Sequence, residues 1–592
     1  MLKLTSMGLL ALGAMSTAAI AGDLRIEQFA PDSSVVVVSL DGGPEMLEHL
    51  RASSASALLE KQMATMQAES MMEIPGPLGE LMDRMTDEDD MLEMVMSIRG
   101  GMALSVQSDP ESYAAVPDIV GFVDLGSTSE KMQEPLTSLF EEMGKDNERV
   151  DVAGEECVFI PAPDMPPAGG GGFGPDFSAL TDMDSYLYHK DHLILFASSM
   201  SGMRRAIEAS EGEEVSDSLA ESDQWQAMTD ELTINGLQMT MLTEHFGELV
   251  SLMDSTGMMG MMGGTFVTAI GRIDGIRVGF EPGTGDSVVR GQGMLWMPEG
   301  KDGLVGLMAK NTERASMPTF FETDQLSVGH MNMNFAGVTS WIQSVIRSNP
   351  MLQMNMMQGF EQIEPIMTEM MGSLGSSVYM ASSLSRPIEI DSMHSIYAIE
   401  CTDTQKFNDT FGMFAADMGM EHRDFQGRVM YVMEGGGGMM GGLLGMGGGS
   451  QAIALGGSHV FIGDQNGVEE CLRSVGRTSD AALPKGLQAG MSSLPSRDLS
   501  GWVASDVFEN MQATMQLEQL QQESSLDALA EDDPELAEEI RAELREESSG
   551  MREDMKMFAE AFGPVTYAWW STDQAFKFEV NLLGADAGSS SD

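Results

Sequence analysis

Basic residues are few in this 592-residue sequence. It carries 32 lysines and arginines against 92 aspartates and glutamates, which gives a net charge of −60. A surface of that sign repels nucleic-acid phosphates and anionic lipid headgroups, so we expect no nucleic-acid partner. The like charges also repel one another within the folded chain, and we expect salt to stabilise the compact state by screening them.

Cysteine is also scarce, with Cys157, Cys401 and Cys471 the three in the chain. No two of them are close enough in sequence to form a zinc or redox motif. The sequence leaves open a disulfide between Cys401 and Cys471, in which case Cys157 remains a thiol.

Long apolar runs are missing except at the N-terminus, which reads "MLKLTSMGLLALGAMSTAAIAGD". Lys3 supplies a basic start, a short apolar core follows, and the small residues ending at Ala21 form a cleavage motif. The apolar run is shorter than the roughly 20 residues that a membrane span needs. The sequence therefore predicts a signal peptide over 1–21 with cleavage after Ala21. It predicts export to the periplasm or the exterior, with no membrane insertion after signal removal.

The rest of the chain contains an internal repeat of structural pattern. Residues 185–210 and 451–476 each read as a strand, a tight turn, a strand and an amphipathic helix. The hairpins around Gly154 and Gly427 also correspond, and the order of elements is the same on both sides. The further parallels are 31–43 with 323–337, 118–144 with 394–419, 232–250 with 494–511, and 271–297 with 563–583.

This repeat, and a length beyond the ~250–300 residues of one core, predict an α+β fold of two tandem homologous modules. We expect each module to be a largely antiparallel sheet with helices packed on one face, plus helical inserts. The predicted ranges are 1–21 for the signal peptide, 22–312 and 313–584 for the modules, about 506–562 for an acidic helical insert, and 585–592 for a disordered tail.

A glycine-rich stretch, "EGGGGMMGGLLGMGGGS" (434–450), spells G-x-G-x-x-G directly after a predicted strand. A dinucleotide site also needs a helix that begins there, because the helix N-terminus holds the pyrophosphate. Glycine disfavours a helix at this position. The corresponding stretch 161–180 spells the same pattern between prolines and joins the same two strands. We therefore interpret both as flexible connections and predict no cofactor.

Methionine is abundant, with 57 residues, and "MMGMM" places Met258, Met259, Met261 and Met262 together. Thioethers are soft ligands that select Cu(I) or Ag(I), so these four residues are candidate metal ligands. Another cluster lies at 351–357. The competing interpretation is that methionine replaces leucine in adaptable cores, and it is favoured because methionine is spread through every predicted element.

Of eight histidines, only His189 and His192 lie close together, in "HKDH". If Lys190 and Asp191 form a two-residue turn, the histidines face each other across a hairpin, as two ligands of a metal would. A structural cross-strand pair is favoured, since the second stretch keeps only His459. The sequence contains no G-x-S-x-G, H-E-x-x-H or G-x-x-x-x-G-K-[ST], and we predict no catalytic residues.

The strand, turn, strand and Gly-led helix, the opening "PDSSVVVV" and the two-part layout resemble exported bacterial proteins grouped as a family of unknown function. That resemblance implies a duplicated α+β module and no particular activity. The leading hypothesis is a non-enzymatic binding or scaffolding protein whose partner is an envelope or extracellular protein or a glycan. The alternatives are a hydrolase with a site between the modules and a protein that handles Cu(I) or Ag(I). The sequence leaves the oligomeric state open.

Overall fold

The structure is a computed structural model, and it describes most of the chain. The predicted signal peptide, most of the helical inserts of the first half, the glycine-rich stretches and Met258 to Met262 lie outside the described residues. The described residues are 24–41, 43–58, 99–108, 115–125, 137–162 except 139, 142 and 146, 183–244, 265–321 except 266, 325–389, 392–433 except 418, 451–476, 483–541 except 533, 535 and 539, and 556–587.

The chain divides into two compact units. The first comprises Met1–Gly264, Ile273–Pro282 and Val289–Pro298, and the second comprises Thr265–Arg272, Gly283–Val288 and Glu299–Asp592. Each unit mixes helices with strands that pair antiparallel, so the predicted combination of helices with a largely antiparallel sheet is confirmed.

Within the described residues, the first unit contributes helices α1 to α3 and strands β1 to β10, except for the first two residues of β10. Its strands are β1 (Ser34–Leu40), β2 (Arg99–Ser108), β3 (Ala115–Asp124), β4 (Glu148–Val152), β5 (Glu155–Ile160), β6 (Ser185–Lys190), β7 (Leu193–Ala197), β8 (Leu237–Leu242), β9 (Gly275–Pro282) and β10 (Ser287–Trp296). Its helices are α1 (Gly43–Ala52), α2 (Met200–Ser210) and α3 (Asp223–Glu231).

The second unit contributes strands β11 to β20 and helices α4 to α10. Its strands are β11 (Gln325–Asn332), β12 (Leu374–Leu384), β13 (Met393–Cys401), β14 (Glu421–Phe425), β15 (Arg428–Met433), β16 (Gln451–Gly456), β17 (His459–Asp464), β18 (Gly501–Ser505), β19 (Phe562–Ser571) and β20 (Ala575–Gly584). Its helices are α4 (Gly303–Met308), α5 (Phe335–Ser348), α6 (Pro350–Met371), α7 (Thr404–Asp417), α8 (Gln465–Ser474), α9 (Lys485–Ser493) and α10 (Val507–Asp532).

The order of paired strands is the same in the two units. In the first it runs β4-β5-β6-β7-β3-β2-β1-β8-β9-β10. In the second it runs β14-β15-β16-β17-β13-β12-β11-β18-β19-β20. Each strand of one order therefore has a counterpart ten numbers away in the other.

Matching turns accompany the matching order. The hairpins β4–β5 and β14–β15 both turn through a residue and a glycine with positive φ, Ala153-Gly154 and Gln426-Gly427. Two-residue turns with both φ values positive suit the right-handed twist of the flanking strands. The Gly154 amide donates to Asp151 Oδ1 at 3.2 Å, and the Gly427 amide donates to Asp424 Oδ1 at 3.1 Å.

In the second unit, helices cover both faces of the sheet, so the prediction of helices on one face is wrong there. On one face, Ile396 and Ala398 pack with α8 and α9. On the other, Ile399 and Cys401 of the same strand pack with helices α4 to α7. In the strand segment "IYAIEC", apolar side chains point to both sides, with Glu400 near its end as the one charged residue, and this is the pattern of a sheet buried from both directions.

The disulfide that the sequence left open does not form. All three cysteines lie within the described residues and are buried thiols. Cys401 belongs to one core cluster of the second unit and Cys471 to the cluster on the opposite face of the sheet. A layer of backbone therefore separates the two sulfur atoms.

The acidic insert predicted at about 506–562 begins as helix α10. Ala513 of this helix packs against Leu326 and Leu384, so the start of α10 lies on the strands of the second unit. Its glutamates, such as Glu518 and Glu523, stay exposed. An apolar contact on one side and carboxylates on the other make this part of α10 a packed, amphipathic helix.

Candidate functional site

The two histidines that the sequence singled out do not face each other. The β6–β7 register pairs Lys190 with Leu193 and His189 with Ile194, so the turn is Asp191-His192. The interpretation of Lys190-Asp191 as the turn is therefore wrong by one residue. In the second unit Gly456 pairs with His459, which makes His459 the counterpart of Leu193 rather than of His192.

Each histidine has a different environment. The His189 ring stacks on Phe140 with 5.0 Å between ring centroids, and burial lowers the pKa of His189. The turn places His192 Nε2 at 3.8 Å from Asp124 Oδ1. Within the described part of the chain, no group of three or more histidine, cysteine or acidic side chains could hold a metal ion. Met258, Met259, Met261 and Met262 lie outside that part.

Three polar side chains that the sequence analysis missed meet in the second unit. Ser385 directly follows β12, His394 is the second residue of β13, and Asp464 is the last residue of β17. Strand β13 pairs with β12 on one side and with β17 on the other, which brings the three together. Sequence spacing hides them, because nine residues separate Ser385 from His394 and a further 70 separate His394 from Asp464.

The three side chains form one chain of hydrogen bonds. His394 Nδ1 lies 2.8 Å from Asp464 Oδ1, and His394 Nε2 lies 3.2 Å from Ser385 Oγ. An ionised carboxylate can only accept, so Nδ1 carries the proton and donates it to Asp464. The Nε2 atom of the neutral ring is then the acceptor, and the Ser385 hydroxyl donates to it.

Asp464 is held in place by backbone donors. It is the N-cap of α8, where Oδ1 accepts from the Gly467 amide at 2.8 Å. Its second oxygen accepts from the Ser395 amide at 3.0 Å. Capping by aspartate satisfies an otherwise unpaired helix donor and contributes about 1 kcal/mol, so the carboxylate has a fixed orientation.

A cavity of about 360 Å³ opens beside this network. His394 is only 5% exposed, whereas Ser385 is exposed. The histidine is therefore shielded while the serine hydroxyl faces a space that solutes can enter. The lining residues are Ser385, Arg386, Pro387, Glu389, Ser392, His394, Asn466, Glu469, Glu470 and Arg473.

The corresponding junction of the first unit has different side chains. The strand registers place Asp118 where His394 lies, and Ser198 where Asp464 lies. The Ser198 hydroxyl donates to Asp118 Oδ1 at 2.8 Å and accepts from the Ile119 amide at 2.8 Å. The backbone position of Ser385 is taken by Gln107. Both units thus have a polar hydrogen-bonded link at this junction. The histidine–serine hydrogen bond, between His394 and Ser385, occurs in the second unit.

A separate feature of the second unit is a set of exposed apolar side chains on helix α6. Asn349 caps this helix, with its side-chain oxygen accepting from the Met351 amide at 2.9 Å. Phe360 and Met370 are buried, but Met354 is 81% exposed and Met351 59% exposed. We call the exposed apolar residues of α6 the methionine surface; they are Met351, Met354, Met356 and Ile363.

Comparison with known proteins identifies no relative of this chain. No protein-family model matches the chain, and neither a curated protein nor a solved structure matches it. Across the helices that the structure describes, none is long and apolar enough to cross a membrane. The resemblance to exported bacterial proteins stays a prediction.

Proposed function

We propose that this protein is a binding protein that engages a partner polypeptide through the methionine surface of α6. The single observation that carries the proposal is the exposure of three methionines and an isoleucine on one helix. Thioether side chains are flexible and polarisable, and methionine is over-represented on surfaces that accept varied partners. At about 100° per residue, Met351 and Met354 lie about 60° apart around the helix, and Met356 and Ile363 lie about 20° apart on another side. Exposed apolar side chains that lie close together in this way mark interaction sites.

Charge indicates the chemistry of the partner. Helix α6 contains Glu361, Glu364 and Glu369 and no lysine or arginine, and the whole chain carries a net charge of −60. A cationic segment is attracted to such a surface, and an acidic one is repelled. The partner that fits is an amphipathic polypeptide segment with apolar residues on one side and lysine or arginine on the other.

The test is a titration of a fluorescent model peptide made of leucine and lysine in an amphipathic pattern. We expect the triple variant Met351→Gln, Met354→Gln, Met356→Gln to bind at least about tenfold more weakly, because each methionine loses apolar burial. Met413→Gln on α7 is the matched control, since Met413 is 57% exposed and lies on a different helix. Equal binding by all three proteins, or none by the wild type, would refute the proposal.

A parallel titration with Ag(I) separates this proposal from soft-metal handling. Stoichiometric Ag(I) uptake that the triple variant loses, together with no peptide binding, would replace the binding proposal with the metal alternative. The cluster at 351–357 is the described part of the chain in which that alternative can be tested.

We also propose that the protein is exported to the periplasm or the exterior. The support is the sequence pattern of residues 1–21, with its basic start and its small residues before Gly22. N-terminal sequencing of the protein from its native host tests this proposal. A mature chain beginning at Gly22 is expected, and a chain that retains Met1 would contradict it.

We infer that the two units are tandem homologous modules. The inference is supported by the equal strand orders and by the paired positive-φ turns at Gly154 and Gly427. The same complex order of ten strands occurs in both units. Duplication of one ancestral segment explains this repetition more readily than two independent origins do. Matched substitutions in the two units, described in the Discussion, test the inference.

A further inference from the structure

We propose that Ser385 is the nucleophile of an ester-hydrolysing site in the second unit, with His394 as its general base and Asp464 as a positioning residue. The activity goes beyond the proposed binding role. It gives the hydrolase alternative specific residues, and all of them lie within one unit. Nucleophile, base and orienting group stand within hydrogen-bond reach of one another, as this chemistry requires.

The histidine has the tautomer that a general base needs. Because His394 Nδ1 donates to Asp464, the lone pair of Nε2 points to the Ser385 hydroxyl at 3.2 Å. A base must lie within about 2.6–3.2 Å of the proton that it removes, or act through one water. Burial of His394 keeps bulk water from competing for Nε2, while Ser385 remains accessible from the cavity.

The fold does not require the hydrogen bonds among Ser385, His394 and Asp464. At the corresponding junction of the first unit, Asp118 accepts hydrogen bonds from Ser198 and Ser199, and no histidine of the described residues takes part. A scaffold role for His394 and Ser385 is therefore not required by the strand order. In the second unit, Asp464 takes the place that Ser198 and Ser199 share in the first unit. Asp464 caps the helix and also orients the imidazole of His394.

The cavity suggests a small, polar ester as the substrate. Its volume of about 360 Å³ is at the lower end of ligand pockets. Its charged rim includes Arg386, which is ion-paired with Glu509, and Arg473, which is ion-paired with Glu469, and both keep further N–H donors. The rim also carries the Asn466 amide and the acidic Glu389 and Glu470. Such donors can stabilise the negative oxygen that develops as a carboxylic ester is attacked. A long apolar acyl chain does not match this lining.

The reaction balances with water as the only co-reactant. Ser385 Oγ attacks the carbonyl carbon and its proton moves to His394 Nε2. The tetrahedral intermediate collapses, the ester C–O bond breaks, and the alcohol leaves with that proton. Water then attacks the acyl-serine, gives a proton to Nε2, and releases the carboxylic acid with the proton returned to Ser385.

The test uses the full-length protein, p-nitrophenyl acetate as the substrate and a fluorophosphonate as the covalent probe. We expect the probe to label the peptide containing Ser385, as located by mass spectrometry, and hydrolysis to fall at least about a hundredfold in Ser385→Ala. Ser383→Ala is the matched control, because Ser383 lies two residues earlier and pairs with His394 across the strands. It should retain both labelling and hydrolysis.

Two further variants separate chemistry from folding. His394→Asn keeps a donor toward Asp464 but has no base, so we expect at least about a hundredfold loss with an unchanged thermal midpoint. Asp464→Asn still caps α8, and we expect it to lower kcat with KM unchanged. If the wild type neither reacts with the probe nor hydrolyses the ester, or if Ser385→Ala matches it, the proposal fails.

Discussion

The two units share an order of strands and differ in the chemistry at one junction. Where β3 meets α2, Asp118 and Ser198 form a compact polar link. Where β13 meets α8, His394 and Asp464 form that link and extend it to Ser385. The comparison shows that the scaffold constrains where polar atoms must be and leaves their identity open. Chemistry can therefore appear in one unit without a change of fold.

The largest effect expected from the comparison is in the cores beneath α2 and α8. Ile207 and Leu472 each lie eight residues after the N-cap, and both are almost fully buried. Truncation to alanine leaves a cavity, so each variant should lose about 2–5 kcal/mol of unfolding free energy. Chemical denaturation measures the loss.

Arg204→Ala, at an exposed position of α2, serves as the control for this pair and should stay within about 0.5 kcal/mol of the wild type. If only one of the two core variants is destabilised, the helices do not occupy equivalent core positions, and the inference of homologous modules is weakened.

A smaller effect is expected at the paired turns. Gly154 and Gly427 have φ values of +85° and +77°, which a side chain rarely adopts, although space for a Cβ atom is open at both. Alanine at either position should therefore cost roughly 1–2 kcal/mol through backbone strain alone. Thermal unfolding compares the two variants.

The control for the turns is Gly359→Ala inside α6, where the space is also open and the backbone is helical. This variant should gain roughly 0.5–1 kcal/mol, since alanine favours a helix. A Gly427→Ala variant as stable as the wild type, beside a destabilised Gly154→Ala, would mean that the two turns are not equivalent in energy.

The smallest effect concerns pH and applies to the first unit. Burial raises the pKa of Asp118 above its ordinary value of 3.8, against hydrogen bonds from Ser198 and Ser199 that lower it. A carboxyl group with a raised pKa holds its proton more tightly in the folded state. Its contribution to stability is therefore complete below pH 3.8 and is lost as the pH rises through the folded-state pKa.

Asp118→Asn keeps an acceptor for Ser198 and cannot titrate. The wild type should therefore lose stability relative to this variant as the pH rises from about 3 to about 7. Denaturation at several pH values gives the difference between the two proteins, in which the other carboxylates cancel. Parallel stability–pH curves for the two proteins would show that the pKa of Asp118 is the same in the folded and unfolded states, which would contradict the prediction.

Much of the fold was predictable because it depends on short-range patterns. The strand, turn, strand and helix of 185–210 and 451–476 are β6, β7 and α2 in one unit and β16, β17 and α8 in the other. Glycines at 154 and 427 marked real turns, since their φ values exclude most other residues. The helices on the second face of this sheet were not predicted, although "IYAIEC" in β13 carries apolar side chains in both directions.

The candidate site was not predictable in the same way. Ser385, His394 and Asp464 come together only because β13 lies between β12 and β17, a consequence of long-range pairing. Close spacing drew attention to His189 and His192 instead, and a shift of one residue in the turn moved them apart. In an antiparallel sheet, a single residue of register decides which side chains are neighbours.

The three buried thiols set a condition on how this chain matures. Burial raises the pKa of Cys157 to about 11, and that of Cys401 is also raised. Thiolates are the reactive form, so in the finished protein these sulfurs resist oxidants. On the export route proposed above, the chain would meet an oxidising compartment before the elements that bury these thiols have assembled. On that route, folding has to outpace oxidation, and a chaperone or reductase that delays the first contact with oxidant would raise the yield of folded protein.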